Sequence, residues 1–556
     1  MRFPVLARLG VAAVAMSLLT GITAPATAAA TDPSARSDAS APRPPATPPV
    51  APAAKAQLAE RALADVRSAF SGYPDARPGA APSGGDVTLA LRDLRLRLDD
   101  LPPAERDVAR RYLARPTGKG DPFVTYAPKA NVTNDCVQQP SRGSHFCVYW
   151  ARATSDAPPA SRNKDGRPDP VPAEVRLTRD VLNHVWDRIV TRGGYKQPPK
   201  DTKGPNDKLD VYLADIGDLG LYGYCVPETR QGNTQAYSGY CVLDNDYAHR
   251  QFPFHTSTQN LEVTAAHEFF HAVQFAYDAS EDPWFMEGTA TWMEDEIYDA
   301  VNDNVTYLRA SSLRHPAHPL DSARGLSVYG NWIWWRYLTE VRFPRRDGGL
   351  PLLIRGVWER ADESGNGGAH RFRTRQYSMR ALAAALRVRG TDLAAEVSRF
   401  GVAGRHPRVA FSEGRRYPQA GLASTRWLRP GAARVAGAVR LPHLSNGTVA
   451  FRAARATGSR TLVIRVDAPS RLRSPVLRVS RVTSAGPQPA KRVRLSRDGG
   501  GTVRVRGFGG RHVRSVELTF TNGGSRYRCN AGTLWSCRGR PLDDGLTFRY
   551  QALARR

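Results

Sequence analysis

Between Leu261 and Glu296 the chain reads LEVTAAHEFFHAVQFAYDASEDPWFMEGTATWMEDE, and no other stretch restricts its fold as tightly. Leu261 to Tyr277 contains neither Gly nor Pro and carries Phe269, Phe270, Val273 and Phe275, which predicts one buried helix. On a helix of about 3.6 residues per turn, positions four apart lie within about 40° of each other. His267 and His271 therefore leave the same face one turn apart, with Glu268 rotated about 100° from His267. Asp278 to Asp282 is a polar turn, and Asp282-Pro283 reads as an N-cap followed by Pro at the first helical position. A second helix starts there with Glu287 one turn in, and Thr291, Glu294 and Tyr298 share its face. Two helices meeting this way can offer His267, His271 and Glu287 to one metal ion and keep a further position for water. The competing reading, two satisfied core histidines and a buried cap partner, has to treat all three spacings as coincidence.

The rest of the chain says where such a site would work. Arg2 and Arg8, the short apolar run Val11–Thr20 and the small residues of TAPATAAA form a signal peptide over residues 1–30, with cleavage expected near Ala28 or Ala30. No later segment approaches the about 18 uninterrupted apolar residues of a membrane span, so a secreted, extracellular protein without a transmembrane segment is expected. The six cysteines fall in three local couples, Cys136/Cys147, Cys225/Cys241 and Cys529/Cys537. Sequence cannot choose among the many connectivities, but each couple brackets one short loop, and nearest-neighbour disulfides suit an exported chain. None of the spacings is that of a zinc knuckle.

The formal charge of +27 is concentrated at one end: from Arg405 onward there are 31 Lys and Arg against 6 Asp and Glu. Such a module can touch anionic cell-wall polymer or polysaccharide nonspecifically. Abundant Arg, Ala, Gly and Pro with scarce Lys also fits a GC-rich coding bias. Neither an RNP-like aromatic motif nor a basic helix is present to suggest a specific nucleic-acid partner.

Taken in order, residues 31–55 are a Pro/Ala-rich disordered linker. Residues 56–118 are helical, over Ala56–Phe70 and Asp86–Arg115 with a break at Pro102-Pro103; they read equally as a pro-region or lid and as an ordinary helical subdomain. Residues 119–405 hold short strands (Phe123–Tyr126, Phe146–Trp150, Asp210–Asp215 and runs around Cys225 and Cys241), a helix over Pro172–Val190, then the histidine stretch and further helices at Tyr329–Glu340, Gln376–Arg389 and Asp392–Phe400. Residues 425–556 alternate in short β runs between Gly-rich turns, which predicts a basic β-sandwich. The fold class expected is multidomain α+β: a catalytic domain built on the HExxH helix, followed by an all-β C-terminal sandwich.

HEFFH followed by WFMEGTATWMED resembles the gluzincin metallopeptidases, zincin-like enzymes in which the second element lies on the next helix, and a group of secreted bacterial proteins classed as metalloproteases. The resemblance covers about 40 residues. It implies one catalytic Zn²⁺ held by His267, His271 and Glu287, and hydrolysis of peptide bonds, as a metalloendopeptidase, by a zinc-activated water with Glu268 as general base. The strand-rich half upstream is where such enzymes keep an edge strand for an extended peptide or protein substrate. A later Tyr or His stabilises the oxyanion in related enzymes; Tyr329 is the candidate here, with Tyr298 and Tyr307 behind it. Gln274 and Tyr277 stand where a metzincin needs Gly and a third His. Thr291 stands where an Asp usually supports the first histidine, so that role is open among Thr291, Glu294 and Asp295.

Other readings keep some ground. Asp278, Glu281 and Asp282 could gather Ca²⁺, although EF-hand spacing is missing and a solvated turn is simpler. His145, His249, His255, His315 and His318 lack metal spacing. The chain could instead be a zinc hydrolase of non-peptide substrates, or an envelope-associated binding protein with a vestigial zinc site and a polyanion-binding β-sandwich.

Overall fold

Two-residue alternation along a few short strands builds the layer on which everything upstream of the histidines rests. A computed structural model describes residues 52–70, 87–116, 132–136, 144–363, 376–429, 434–454, 459–510 and 512–555. The expected signal peptide, residues 31–51 of the expected linker and the expected strand Phe123–Tyr126 lie outside the described residues. Strands β1 (Val132–Asp135), β2 (Phe146–Ala151), β3 (Leu209–Ala214), β4 (Gly223–Arg230) and β5 (Tyr237–Asp244) form one sheet in the order β1-β2-β3-β5-β4. β2, β3 and β5 run parallel, and β1 and β4 pair antiparallel at its two edges.

Both faces of this sheet are covered, and alternation decides what covers each. Phe146, Val148, Trp150, Val211, Leu213 and Leu243 enter one core together with α4 (Ala173–Trp186) and α5 (Ser257–Asp278). Their neighbours Tyr149, Tyr212, Tyr224, Val226, Tyr240 and Val242 enter a second core together with α1 (Pro52–Phe70), α2 (Val87–Leu96) and α3 (Pro103–Tyr112). The first helix thus starts four residues earlier than expected, inside the Pro/Ala-rich run, with Pro52 tolerated because a helix's first turn lacks N–H partners anyway. The break at Pro102-Pro103 appears as a 3₁₀ turn, Leu98–Asp100, before α3.

α5 starts at Ser257, where Thr256 and Gln259 form a reciprocal capping box. α6 (Pro283–Tyr298) follows after a short turn. Asp282 occupies the N-cap position but its carboxylate does not cap: it accepts from the Ser378 hydroxyl and the Cys537 N–H. Asp282 is thus the N-cap residue before Pro283, as expected, while its carboxylate ties the start of α6 to Ser378 and to the C-terminal region. Helices α7 (Ser327–Gly330), α8 (Trp332–Arg336), α9 (Leu352–Ala361), α10 (Ser378–Arg387) and α11 (Leu393–Arg405) complete the helical part, so the helix expected over Tyr329–Glu340 is split at Asn331.

The C-terminal region is β-rich. One set of strands is β6 (Ser424–Leu428), β8 (Ser445–Ala453), β12 (Val513–Asn522) and β10 (Pro475–Thr483); the other is β7 (Val435–Leu441), β13 (Leu546–Arg555), β9 (Arg460–Asp467) and β11 (Gly500–Phe508). A single bridge, Phe508 to Val513, joins the sets into one nearly closed sheet around Phe451, Leu462, Leu518, Phe520, Phe548 and Tyr550. The fold is thus mixed α+β with a large β-rich C-terminal region. The disulfides are Cys136–Cys147, Cys225–Cys241 and Cys529–Cys537. Among the described residues no helix is long and apolar enough to cross a membrane.

Candidate metal centre

Helical spacing on α5 and the packing of α6 against it bring three distant side chains into one small volume. The donor atoms of His267, His271 and Glu287 all lie within 4.8 Å of one another. His267 Nε2 is 3.3 Å from Glu287 Oε2, and His271 Nε2 is 3.2 Å from Glu287 Oε1. Gly288, next to the glutamate, is what lets α6 approach Trp335: a Cβ there would meet the indole Nε1 at 2.7 Å. Trp284 stacks on the same indole at 5.4 Å between centroids, which fixes how α6 is rotated and hence where Glu287 points.

The imidazoles are oriented from behind. The Gln274 amide donates to the Met286 carbonyl (2.9 Å) and the Thr289 hydroxyl (3.2 Å), so its Oε1 is turned to His271 Nδ1 at 2.8 Å. An acceptor there assigns the proton to Nδ1 and directs the Nε2 lone pair at Glu287. Glu294 does the same for His267, accepting from its Nδ1 at 2.6 Å. Of the three residues left open by sequence, Glu294 therefore supports the first histidine. Asp295 is engaged by Arg336 and Asn304, and Thr291 Oγ1 is buried with no hydrogen-bond partner.

These contacts test whether a cation fits. His271 and Glu287 are fully buried, and neither carboxylate oxygen of Glu287 makes a hydrogen bond. A carboxylate facing two nitrogen lone pairs in a dry site is repulsive unless something positive stands between them. For Zn²⁺ with bonds of about 2.0–2.1 Å, tetrahedral ligands stand about 3.3–3.4 Å apart. The 3.2 and 3.3 Å separations suit that requirement. Protons respond to the same deficit of positive charge: burial opposes charging His267, yet the Glu287 and Glu294 carboxylates hold it well above its ordinary value. Burial pushes Glu294 itself up to about 7, against the His267 contact.

Glu268, nearly buried, follows His267 on α5, and its Oε2 accepts from the Thr88 hydroxyl at 3.1 Å. Gly223 at the start of β4 lies against it, since a Cβ there would meet Glu268 Cγ at 3.0 Å. Tyr329, half-buried on α7, has its ring 6.2 Å from the His267 ring and stacks on Tyr307 at 5.2 Å. Tyr298 turns instead toward His184 on α4, at 5.8 Å. Asp278, Glu281 and Asp282 each face donors of their own chain, Ser280, Ser378 and Cys537 among them. His145 stacks on Trp186 and His255 pairs with Asp303, in keeping with structural roles.

Sequence reasoning overlooked Gln274 and Thr88. Gln274 had a signal, since it lies one turn beyond His271 on the same helix. Thr88 is 180 positions from Glu268, and nothing local marks it.

No protein-family model matches the chain, and no curated protein matches it. Among solved structures, the pre-peptidase C-terminal domain of a collagenase from Bacillus anthracis is similar over 24% of this chain and 96% of its own length, at 6% identity and a TM-score of 0.15. A family GH115 4-O-methyl-α-glucuronidase, BtGH115A, aligns over 65% of this chain and 53% of its own, at 10% identity and a TM-score of 0.13. Likeness this low carries no argument about fold or activity.

Proposed function

We propose that the chain is an exported zinc metallopeptidase of the gluzincin type, its zincin-like catalytic part followed by a β-sandwich. The observation that carries this reading is the triangle of His267, His271 and Glu287, with Glu268 the residue after His267 on α5. Bound there, Zn²⁺ would supply Lewis acidity toward a carbonyl and toward water at neutral pH. The chain's own residues do the rest. Gln274 and Glu294 hold the two imidazoles in the tautomer that presents Nε2. Glu268 takes a proton from the attacking water as its oxygen bonds to the carbonyl carbon, and then gives that proton to the amine nitrogen as the C–N bond breaks. Edge strand β4, where the sequence places an extended peptide, has its Cys225 N–H and Glu228 carbonyl taken by Thr88 and Arg95 of α2, so it presents no free edge at those residues. The Tyr329 hydroxyl is the candidate for stabilising the oxyanion. The test is hydrolysis of a diverse peptide library by zinc-loaded protein and by Glu268→Gln. Cleavage abolished by the substitution is expected; equal product from both proteins, or none from either, would refute the peptidase reading.

A polyanion-binding role for the C-terminal region has one observation in its favour. The pairing register of β7, β13, β9 and β11 puts Arg440, Arg465, Arg504, Arg506, Arg549 and Arg555 on one exposed face. Among the described residues of those strands, Asp467 is the carboxylate on that face. Retention on immobilised heparin that survives physiological salt, and is lost in Arg465→Ser/Arg504→Ser/Arg549→Ser, is expected under this reading; elution at low salt would sink it.

A further inference from the structure

The N-terminal helices reach the candidate site itself. α2 passes along β4, and Thr88 near its start is fully buried. The Cys225 N–H of β4 donates to the Thr88 hydroxyl at 3.0 Å, and that hydroxyl donates to Glu268 Oε2 at 3.1 Å. With one lone pair taken by the N–H, the hydroxyl proton is directed at the carboxylate. Cys225 faces Cys241 with Cα atoms 4.0 Å apart, the close spacing of a non-hydrogen-bonded antiparallel pair, so its N–H points outward to α2.

We infer that Thr88 is a positioning residue for Glu268, and that the segment from Val87 to Arg115 is a retained part of the working enzyme and not a removable pro-segment. This rests on the peptidase reading above. Three contacts outside the Thr88 bond support it. Arg92, fully buried, donates to the Glu281 carbonyl at 2.8 Å, so α2 also holds the turn that sets α6 against α5. The guanidinium of Arg115 ends the segment among Asp201, Asp210 and Glu228, at 2.8, 2.5 and 2.6 Å. Departure of the segment would leave Asp201 and Asp210 without that guanidinium, and Glu228 with only Lys203 at 3.7 Å. It would also bare Tyr149, Tyr212, Val226, Tyr240 and Val242, an apolar sheet face that α1–α3 now cover.

Thr88→Val keeps the shape and removes the hydroxyl; Thr88→Ser restores it. In zinc-loaded full-length protein, Thr88→Val should lower kcat by roughly tenfold with KM little changed, the scale of one hydrogen bond to a charged group, and Thr88→Ser should recover most of the loss. Zinc content should stay the same in both. Affinity for acetohydroxamate, a zinc-directed probe whose hydroxyl proton needs a neighbouring carboxylate, should fall several-fold in Thr88→Val alone, and this readout does not need peptide cleavage. Intact mass of the active exported protein should still include Val87–Arg115. Unchanged kcat and unchanged hydroxamate affinity in Thr88→Val would overturn the inference. So would a gain of activity, which would make α2 a plug, or an active form beginning after Arg115. If the wild type shows no Glu268-dependent cleavage, the peptidase reading fails, while the hydroxamate series still decides what Thr88 does to Glu268.

Discussion

Removing the Glu294 carboxylate isolates what supports the first histidine. Its bond from His267 Nδ1 is short, 2.6 Å, and nearly buried. Charge-assisted bonds of this kind contribute about 1.5–3 kcal/mol, and about 1.4 kcal/mol is a factor of ten in an equilibrium constant, so Glu294→Ala should weaken zinc binding about 10- to 100-fold. Outer-shell partners of metal-ligating histidines act in that range generally. Glu294→Gln keeps an acceptor and loses the charge, and should fall at the mild end. Thr291→Ala, which removes a hydroxyl with no hydrogen-bond partner, should leave affinity within about twofold, because no bond to a ligand is lost. The assay is competition with a fluorescent zinc chelator, accompanied by melting of the metal-free proteins. Glu294→Ala also leaves the buried His267 Nδ1–H without its acceptor, so the metal-free variant should melt somewhat lower than wild type, and affinities are compared at a temperature where both are folded. Glu294→Ala binding zinc as tightly as wild type, or Thr291→Ala losing as much affinity, would refute the assignment.

Two further outcomes are expected. Arg115→Ala should cost about 3–5 kcal/mol in urea unfolding, because it leaves Asp201, Asp210 and Glu228 together with no guanidinium; a loss under about 1 kcal/mol would mean the carboxylates are solvated without it. Burial pushes Asp244 up to about 7, against N–H donors from Tyr247 and Gly217, and also raises Asp210 and Asp295 to about 7. These folded-state values exceed the unfolded value of about 3.9, so the folded chain binds more protons from about pH 4 to 7 and its stability declines as pH rises through that window. Metal-free protein should therefore melt higher at pH 5 than at pH 8, and Asp244→Asn should flatten the slope; a midpoint that climbs with pH would contradict the sign.

The histidine stretch was legible because its information is local. His267, His271 and Glu287 sit on two consecutive helices, where spacing alone fixes which face each occupies. Glu294 remained one of three candidates, since its choice depends on how α6 is rotated, and that is set by Trp335 from a later helix. Thr88 could not be read at all, because its role comes from the far side of the sheet wrapping around β4. In the C-terminal region the runs Thr461–Val466, Val476–Ser480, Val503–Val505, Val516–Phe520 and Leu546–Tyr550 read as strands from sequence, whereas Ser424–Leu428, Val435–Leu441 and Ser445–Ala453 do not. The last contains Asn446-Gly447, which reads as a turn. In the fold Gly447 lies where Val439 and Leu441 leave no room for a Cβ, and Asn446 bonds to Val397 and Thr521. Asp282 is the N-cap residue that its position before Pro283 announces, but the partners of its carboxylate, Ser378 and Cys537, lie far along the chain and leave no local signal.

The most direct measurement of the central claim is zinc K-edge absorption on stoichiometrically loaded full-length protein, beside Glu287→Ala. Only nitrogen and oxygen neighbours at about 2.0–2.1 Å, with two imidazoles in the wild type and reduced occupancy in Glu287→Ala, are expected. A sulfur neighbour at about 2.3 Å, or folded wild-type protein that retains no zinc, would contradict the site.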